Sequence, residues 1–256
     1  MIFRDLHTHT TFCDGANTAE EMVLAAIEKG MKTIGFSGHA YTEFVDDCCM
    51  SIEGTEQYCL EIARLKEKYN GKIEILCGIE QDYYSTFPAE GYDYVIGSVH
   101  YIEKNGKYYS VDHSEEYYLN TIKEFGGDFI AFSEIYFDTV AKVYEKTGCD
   151  IIGHFDLTAK FNGDGNKYFD ETDPRYVKAA EKAIKHLLKS GKPFEINTGA
   201  IHRGYRSYPY PAPHFLKFIY ENGGKVILSS DSHSANTLLY EFEKWAPFAK
   251  EIGFEL

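Results

Sequence analysis

The chain has 256 residues, 44% hydrophobic and 26% charged, the usage of an ordinary globular protein with a large core; neither a disordered tail nor a membrane protein fits it. Lys plus Arg number 26 against 40 Asp plus Glu, a formal net charge of −14. Clustered positive charge for a phosphate backbone is missing, so nucleic acid is excluded as an expected partner.

The opening residues, Met1-Ile2-Phe3-Arg4-Asp5, become charged at once, and no later window approaches the roughly 18 apolar residues of a membrane span. A cytoplasmic protein with no membrane partner is expected; oligomeric state stays open. Six cysteines (Cys13, Cys48, Cys49, Cys59, Cys77 and Cys149) show no C-x-x-C spacing and read as reduced packing residues, not as a disulfide framework or zinc knuckle.

In chain order, short apolar runs rich in β-branched residues alternate with segments of helical period, the pattern of βα units on a parallel sheet. The first strand is expected over 3–9. Thr18-Ala19-Glu20-Glu21 then reads as a capping box opening a helix that Gly30 ends. Strands follow at 33–38, 72–80 and 94–100. The stretch 101–125, with its Lys-Asn-Gly-Lys turn, reads as a loop. After a fifth strand at 151–155, residues 156–172 are rich in Asn, Gly and Asp and read as a second loop. Asp173-Pro174 supplies an N-cap and a first-turn proline, with Val177, Ala180, Ile184 and Leu187 at helical spacing up to Gly191. Strands at 193–197 and 225–230 complete seven. No repeat or linker divides the chain, so residues 1–256 are expected to form one α/β barrel domain.

Unusual polar residues recur where these strands end. His7-Thr8-His9, Gly38-His39, Gly78-Ile79-Glu80, Ser98-Val99-His100, Gly153-His154 and Ser230-Asp231-Ser232-His233 close six of the seven strands. In a parallel barrel such ends converge on the face where active sites lie. Residues i and i+2 of a strand project to one side, so His7 with His9, and Asp231 with His233, aim two donors each at a common point. One histidine at a strand end is ordinarily a hydrogen-bonded structural residue, but structural histidines have no reason to gather at the same end of successive strands. Imidazole with carboxylate suits Zn, Fe or Mn, whereas Ca or Mg sites are built almost wholly from oxygen. Counting Asp14, which reads equally as a turn former, the candidates are His7, His9, Asp14, His39, Glu80, His100, His154, Asp231 and His233. Nine ligands exceed the needs of one ion, so two or three divalent ions are expected, with Glu80 as the bridge.

These motifs in this order, with Asp14-Gly15 after the first and Gly153-His154-Phe155-Asp156-Leu157 as the fifth, resemble those of the polymerase and histidinol phosphatase (PHP) superfamily, most closely its histidinol-phosphatase branch, over residues 1 to about 235. The resemblance implies a distorted (βα)7 barrel, a trinuclear metal centre, and hydrolysis of L-histidinol phosphate to L-histidinol and phosphate in histidine biosynthesis. It implies that His7, His9, Glu80 and Asp231 hold one ion, Glu80, His100 and His154 a second, and Asp14, His39 and His233 a third.

A metal-activated water needs no protein nucleophile, but the departing alkoxide wants a proton, for which Asp231 and His233 are the candidates. A small phosphorylated substrate also needs cations beyond the metals. Arg203 and Arg206, after the sixth strand, offer forked donors, and Lys160, where the histidinol-phosphatase pattern often has Arg, offers a point charge. Glu195 and Asn197 stand ready to support the site. Competing readings are a PHP-type enzyme for another small phosphate ester or a nucleotide, and a metal-dependent amidohydrolase or lactonase.

Overall fold

The computed structural model describes residues 4–45 and 47–256; Phe3, the first residue of the expected opening strand, lies outside them. In chain order the elements are β1 (Arg4–Asp5), α1 (Ala19–Glu28), β2 (Thr33–Phe36), α2 (Ile52–Lys68), β3 (Glu74–Asp82), β4 (Tyr94–Ser98), β5 (Tyr101–Lys104) and β6 (Lys107–Ser110). There follow α3 (Glu115–Glu124), α4 (Phe129–Val140), α5 (Val143–Thr147), β7 (Ile151–Ile152), α6 (Pro174–Leu187), β8 (Phe194–Asn197), α7 (Gly199–His202), α8 (Pro213–Glu221), β9 (Val226–Ser229) and α9 (Phe242–Ile252).

Seven strands form one parallel sheet in the order β1-β2-β3-β4-β7-β8-β9. Just past β1 and β9 the edges meet: His9 N–H donates to the Ser232 carbonyl at 2.8 Å and Ser232 N–H to the His7 carbonyl at 3.0 Å, curling the sheet into a distorted (βα)7 barrel. Asp5 reinforces the seam by accepting from Ser230 N–H at 3.1 Å and from the Ser230 hydroxyl. The expected strands are all present, and six are shorter than the apolar runs suggested. Residues at or just past the strand ends turn side chains into the mouth of the barrel: His100 and His154 do so outside the ladders, and His39 from an isolated parallel bridge to Glu80.

The capping signals act as read. Thr18 and Glu21 form the reciprocal box at α1, and Asp173 accepts from Arg175 N–H at 2.7 Å to start α6. The two expected loops are more ordered than composition implied. In 101–125, Asn105 and Gly106 both adopt positive φ, 55° and 76°, and join β5 to β6 as an antiparallel hairpin before α3. In 156–172, a 3-10 turn (Leu157–Asn162) precedes a bend organised by Asn162, whose Oδ1 accepts from Tyr168 N–H at 2.9 Å.

Apolar burial occurs in two places. A large cluster between sheet and helices includes Phe36, Tyr58, Phe132, Phe137, Tyr176, Phe194 and Phe215. A small one, Tyr94, Ile96, Ile151 and Ile227 with Leu6 and Leu76, fills the barrel on the strand face that carries Glu80 further along β3. The Tyr94 hydroxyl reaches the carbonyls of Leu6 at 2.5 Å and Phe36 at 3.0 Å, so its ring spans the barrel floor. Only glycine fits opposite: a Cβ on Gly78 would stand 2.3 Å from Cζ of Tyr94. Gly78→Ala is therefore expected to cost about 1–3 kcal/mol by overpacking and to lower Tm by roughly 2–4 °C per kcal/mol. Thermal unfolding checks this, and an unchanged Tm contradicts the packing described.

Candidate metal centre

All nine expected ligands meet at the C-terminal mouth of the barrel. Glu80, on β3, is 1% exposed and lies at the middle. Its Oε2 stands 3.2 Å from His7 Nε2, 3.6 Å from His9 Nε2 and 3.0 Å from His39 Nδ1. Its Oε1 stands 3.0 Å from His154 Nε2 and 3.4 Å from His100 Nε2. Asp231 approaches from β9, with Oδ1 at 3.8 Å from His7 Nε2 and 3.5 Å from His9 Nε2. Asp14, equally a turn former by sequence, points into the cluster, with Oδ2 at 3.1 Å from His233 Nε2 and 3.7 Å from His39 Nε2. Three subsets bring their donor atoms within 4.8 Å of one another: His9, Asp14, His39 and His233; His7, His9 and Glu80; and His39, Glu80 and His100.

Outer groups fix how the imidazoles face. His7 Nδ1 donates to Glu195 Oε1 at 2.6 Å, and His100 Nδ1 to Asp82 Oδ2 at 3.2 Å, which turns both Nε2 atoms toward Glu80. Glu195 also accepts from His154 N–H at 3.0 Å. Asp82 was missed by the sequence reading although it sits two residues beyond Glu80 on the same strand face, the spacing that singled out His7 with His9. Asp231 holds φ +51°, a strained value for a non-glycine residue, and Gly199 makes room for it: a Cβ there would stand 2.8 Å from Asp231 Oδ2.

The electrostatics ask for a cation. Burial opposes charge on His7, yet Glu195, Glu80 and Asp231 outweigh it and hold the imidazole well above its ordinary pKa. Burial likewise opposes charge on Glu80, and His7, His39 and His100 overcome it to hold the carboxyl well below its usual range. His9 goes the other way, pushed down to about 3 by burial and by the positive charge of His233 and His39. Buried His7 Nε2, His9 Nε2 and Glu80 Oε2 have no hydrogen-bond partner, and the Nε2 atoms of His100 and His154 face each other at 3.1 Å. Inward-facing imidazole nitrogens around a shared carboxylate fit divalent ions of the Zn, Fe or Mn class.

A cavity of about 310 Å³ opens over this cluster, with Arg203, Lys160, Asp112, His113 and Tyr205 in its walls. Arg203 lies at the edge of the ligand set, its Nη2 donating to His233 Nδ1 at 2.7 Å and to Asp231 Oδ1 at 3.3 Å. Lys160 donates to the Asp112 carbonyl at 2.7 Å and its Oδ2 at 3.2 Å. Arg206 requires a correction: it is 4% exposed and does not line the cavity. It is held instead by Glu171 Oε2 at 3.2 Å and Asp156 Oδ2 at 3.6 Å, with Tyr208 and Tyr210 over its guanidinium. Two buried carboxylates that need a counter-charge draw it inward. Of the remaining histidines, His113 reaches the cavity wall, whereas His202 packs against Tyr240 and His186 pairs with Glu145.

The PHP domain family model matches residues 5–199. The chain belongs to the PHP domain family. The Bacillus subtilis histidinol-phosphatase is 26% identical to this PHP protein over 94% of the chain and 97% of its own length. Two solved structures share the fold. The hisK structure from Listeria monocytogenes superposes with TM-score 0.83 at 22% identity, covering 94% of this chain and 99% of its own. Histidinol phosphate phosphatase from Lactococcus lactis, complexed with zinc, L-histidinol and phosphate, gives TM-score 0.73 at 23% identity, covering 98% and 94%. No helix among the described residues is long and apolar enough to cross a membrane.

Removing either kind of charged residue gives a distinct signature. Glu80→Gln is expected to lose most of the metal bound by the parent protein, read by elemental analysis. Arg206→Met leaves Asp156 and Glu171 without a counter-charge and is expected to destabilise by about 3–5 kcal/mol with metal content unchanged. Stable Arg206→Met protein with impaired phosphate binding would contradict the placement of Arg206.

Proposed function

We propose that this PHP domain, with residues 1–256 as one catalytic unit, is a metal-dependent phosphomonoesterase that hydrolyses L-histidinol phosphate to L-histidinol and phosphate. The observation that carries the reading is a buried carboxylate, Glu80, ringed by five imidazoles at the floor of a cavity whose wall holds Arg203. The Bacillus relative's activity and the ligands of the Lactococcus structure support the choice of substrate.

His7, His9, Glu80 and Asp231 would hold one ion, Glu80, His100 and His154 a second, and Asp14, His39 and His233 a third, each of the Zn, Fe or Mn class. Bound there, such ions acidify water to supply the nucleophile and neutralise charge on the phosphoryl oxygens. Arg203, with donors at the cluster's edge, orients the phosphate by paired hydrogen bonds. Lys160, held in the cavity wall by Asp112, adds a second positive charge. Of the two candidates for protonating the leaving alkoxide, Asp231 is the poorer. Burial would favour its protonated form, but Arg203 and His7 hold the carboxyl well below its usual range. His233 accepts from Arg203 at Nδ1, which leaves Nε2, beside Asp14, as the nitrogen that would face the third ion. His233 would give the alkoxide a proton only with its Nε2 released from the ion, so the two roles compete for one nitrogen.

Phosphate release from a panel of monoesters, nucleotides and carbonyl substrates tests the reading. Reconstituted enzyme is expected to act on histidinol phosphate far above the rest, to stop on chelation and to recover with Zn or Mn. Loss of charge-assisted hydrogen bonds worth about 1.5–3 kcal/mol should make Arg203→Ala raise KM roughly 10- to 100-fold. Lactone or amide turnover that ignores Arg203→Ala, with no phosphate release, would overturn it.

A further inference from the structure

Two thiols stand side by side at the mouth of the metal cavity, and the proposed hydrolysis gives them no role. Cys48 and Cys49 both line the cavity, both are half-buried, and their sulfurs lie 3.9 Å apart. The segment that carries them leaves the cluster at His39 and returns to it, Met50 N–H donating to the His39 carbonyl at 3.1 Å. Its position is therefore tied to a proposed ligand. Across the cavity stand Asp112, Lys160 and Arg203.

The chemistry of the pair favours a reagent that takes both sulfurs at once. The hydrogen bond to Cys49, with burial, pushes the Cys48 thiol up, which makes it a poor single nucleophile. A disulfide would need the sulfurs at about 2 Å, whereas one bridging atom bonds to both without bringing them together. We propose that Cys48 and Cys49 form a modification site for monosubstituted trivalent arsenicals, R–As(OH)2, and that capture there closes the cavity to substrate. In the step two As–S bonds form and two As–O bonds break. The two thiol protons leave with the two hydroxyls as two waters, and arsenic stays trivalent, so no oxidant or reductant is needed. The organic group on arsenic then occupies a cavity of about 310 Å³.

Phenylarsine oxide, which hydrates to such a species, is the probe. On the metal-loaded protein, intact-mass spectrometry is expected to show one phenylarsine adduct per chain, with phosphatase activity falling at least ten-fold and metal content unchanged. A 1,2-dithiol should reverse both effects, and a monothiol neither. Cys48→Ser and Cys49→Ser should each keep basal activity and lose both adduct and inhibition. Cys59→Ser, outside the cavity wall, should behave as the parent. An adduct that survives Cys48→Ser or Cys49→Ser, one that Cys59→Ser abolishes, or no adduct at all overturns the site. A full adduct with undiminished activity, or with metal lost, overturns the closure. The mass readout does not depend on which ester the enzyme hydrolyses.

Discussion

A carboxylate in the middle of a protein costs several kcal/mol in lost hydration unless positive charge surrounds it, and the mouth of this barrel is arranged around that constraint. Glu80 is met by five imidazoles, and two of those rings are themselves oriented by further carboxylates, Glu195 and Asp82. Hydrogen bonding alone does not satisfy the set, since His7 Nε2, His9 Nε2 and Glu80 Oε2 are buried without partners. Divalent ions at those points would complete the coordination and remove the need for charged imidazoles.

The barrel below exists to hold that geometry still. Tyr94 spans the floor, its hydroxyl bonded across the barrel to the carbonyls of Leu6 and Phe36, and the glycine at 78 lets its ring lie against β3 directly beneath Glu80. At the opposite seam Asp5 binds Ser230 just before Asp231, whose left-handed backbone turns its carboxylate toward His7 and His9. Strain of that kind persists where packing over-determines it, and the close approach of Gly199 is part of that packing.

The candidate site was legible because its residues occupy one position in a repeating pattern. A ligand at the end of a barrel strand is placed by the strand, so His7, His39, Glu80, His100, His154 and Asp231 needed no long-range information beyond the fold. Loop residues lack that guarantee. Arg203 and Arg206 are three residues apart and looked equivalent, yet one faces the cavity while the other is pulled into the core by Asp156 and Glu171, residues whose proximity only the folded chain reveals. The hairpin at Asn105-Gly106 had a local signal in its turn dipeptide, and Asp82 had one in its spacing from Glu80. Asp112 had none, because a hairpin absent from the expected elements carries it to the cavity.

X-ray absorption at the metal edge of fully loaded protein tests the central claim most directly, that a shared carboxylate binds a polynuclear centre here. The account predicts a first shell of nitrogen and oxygen only, together with metal–metal scattering at roughly 3.5–4 Å that disappears in Glu80→Ala. An isolated ion with no metal neighbour, or a first shell containing sulfur, would contradict it.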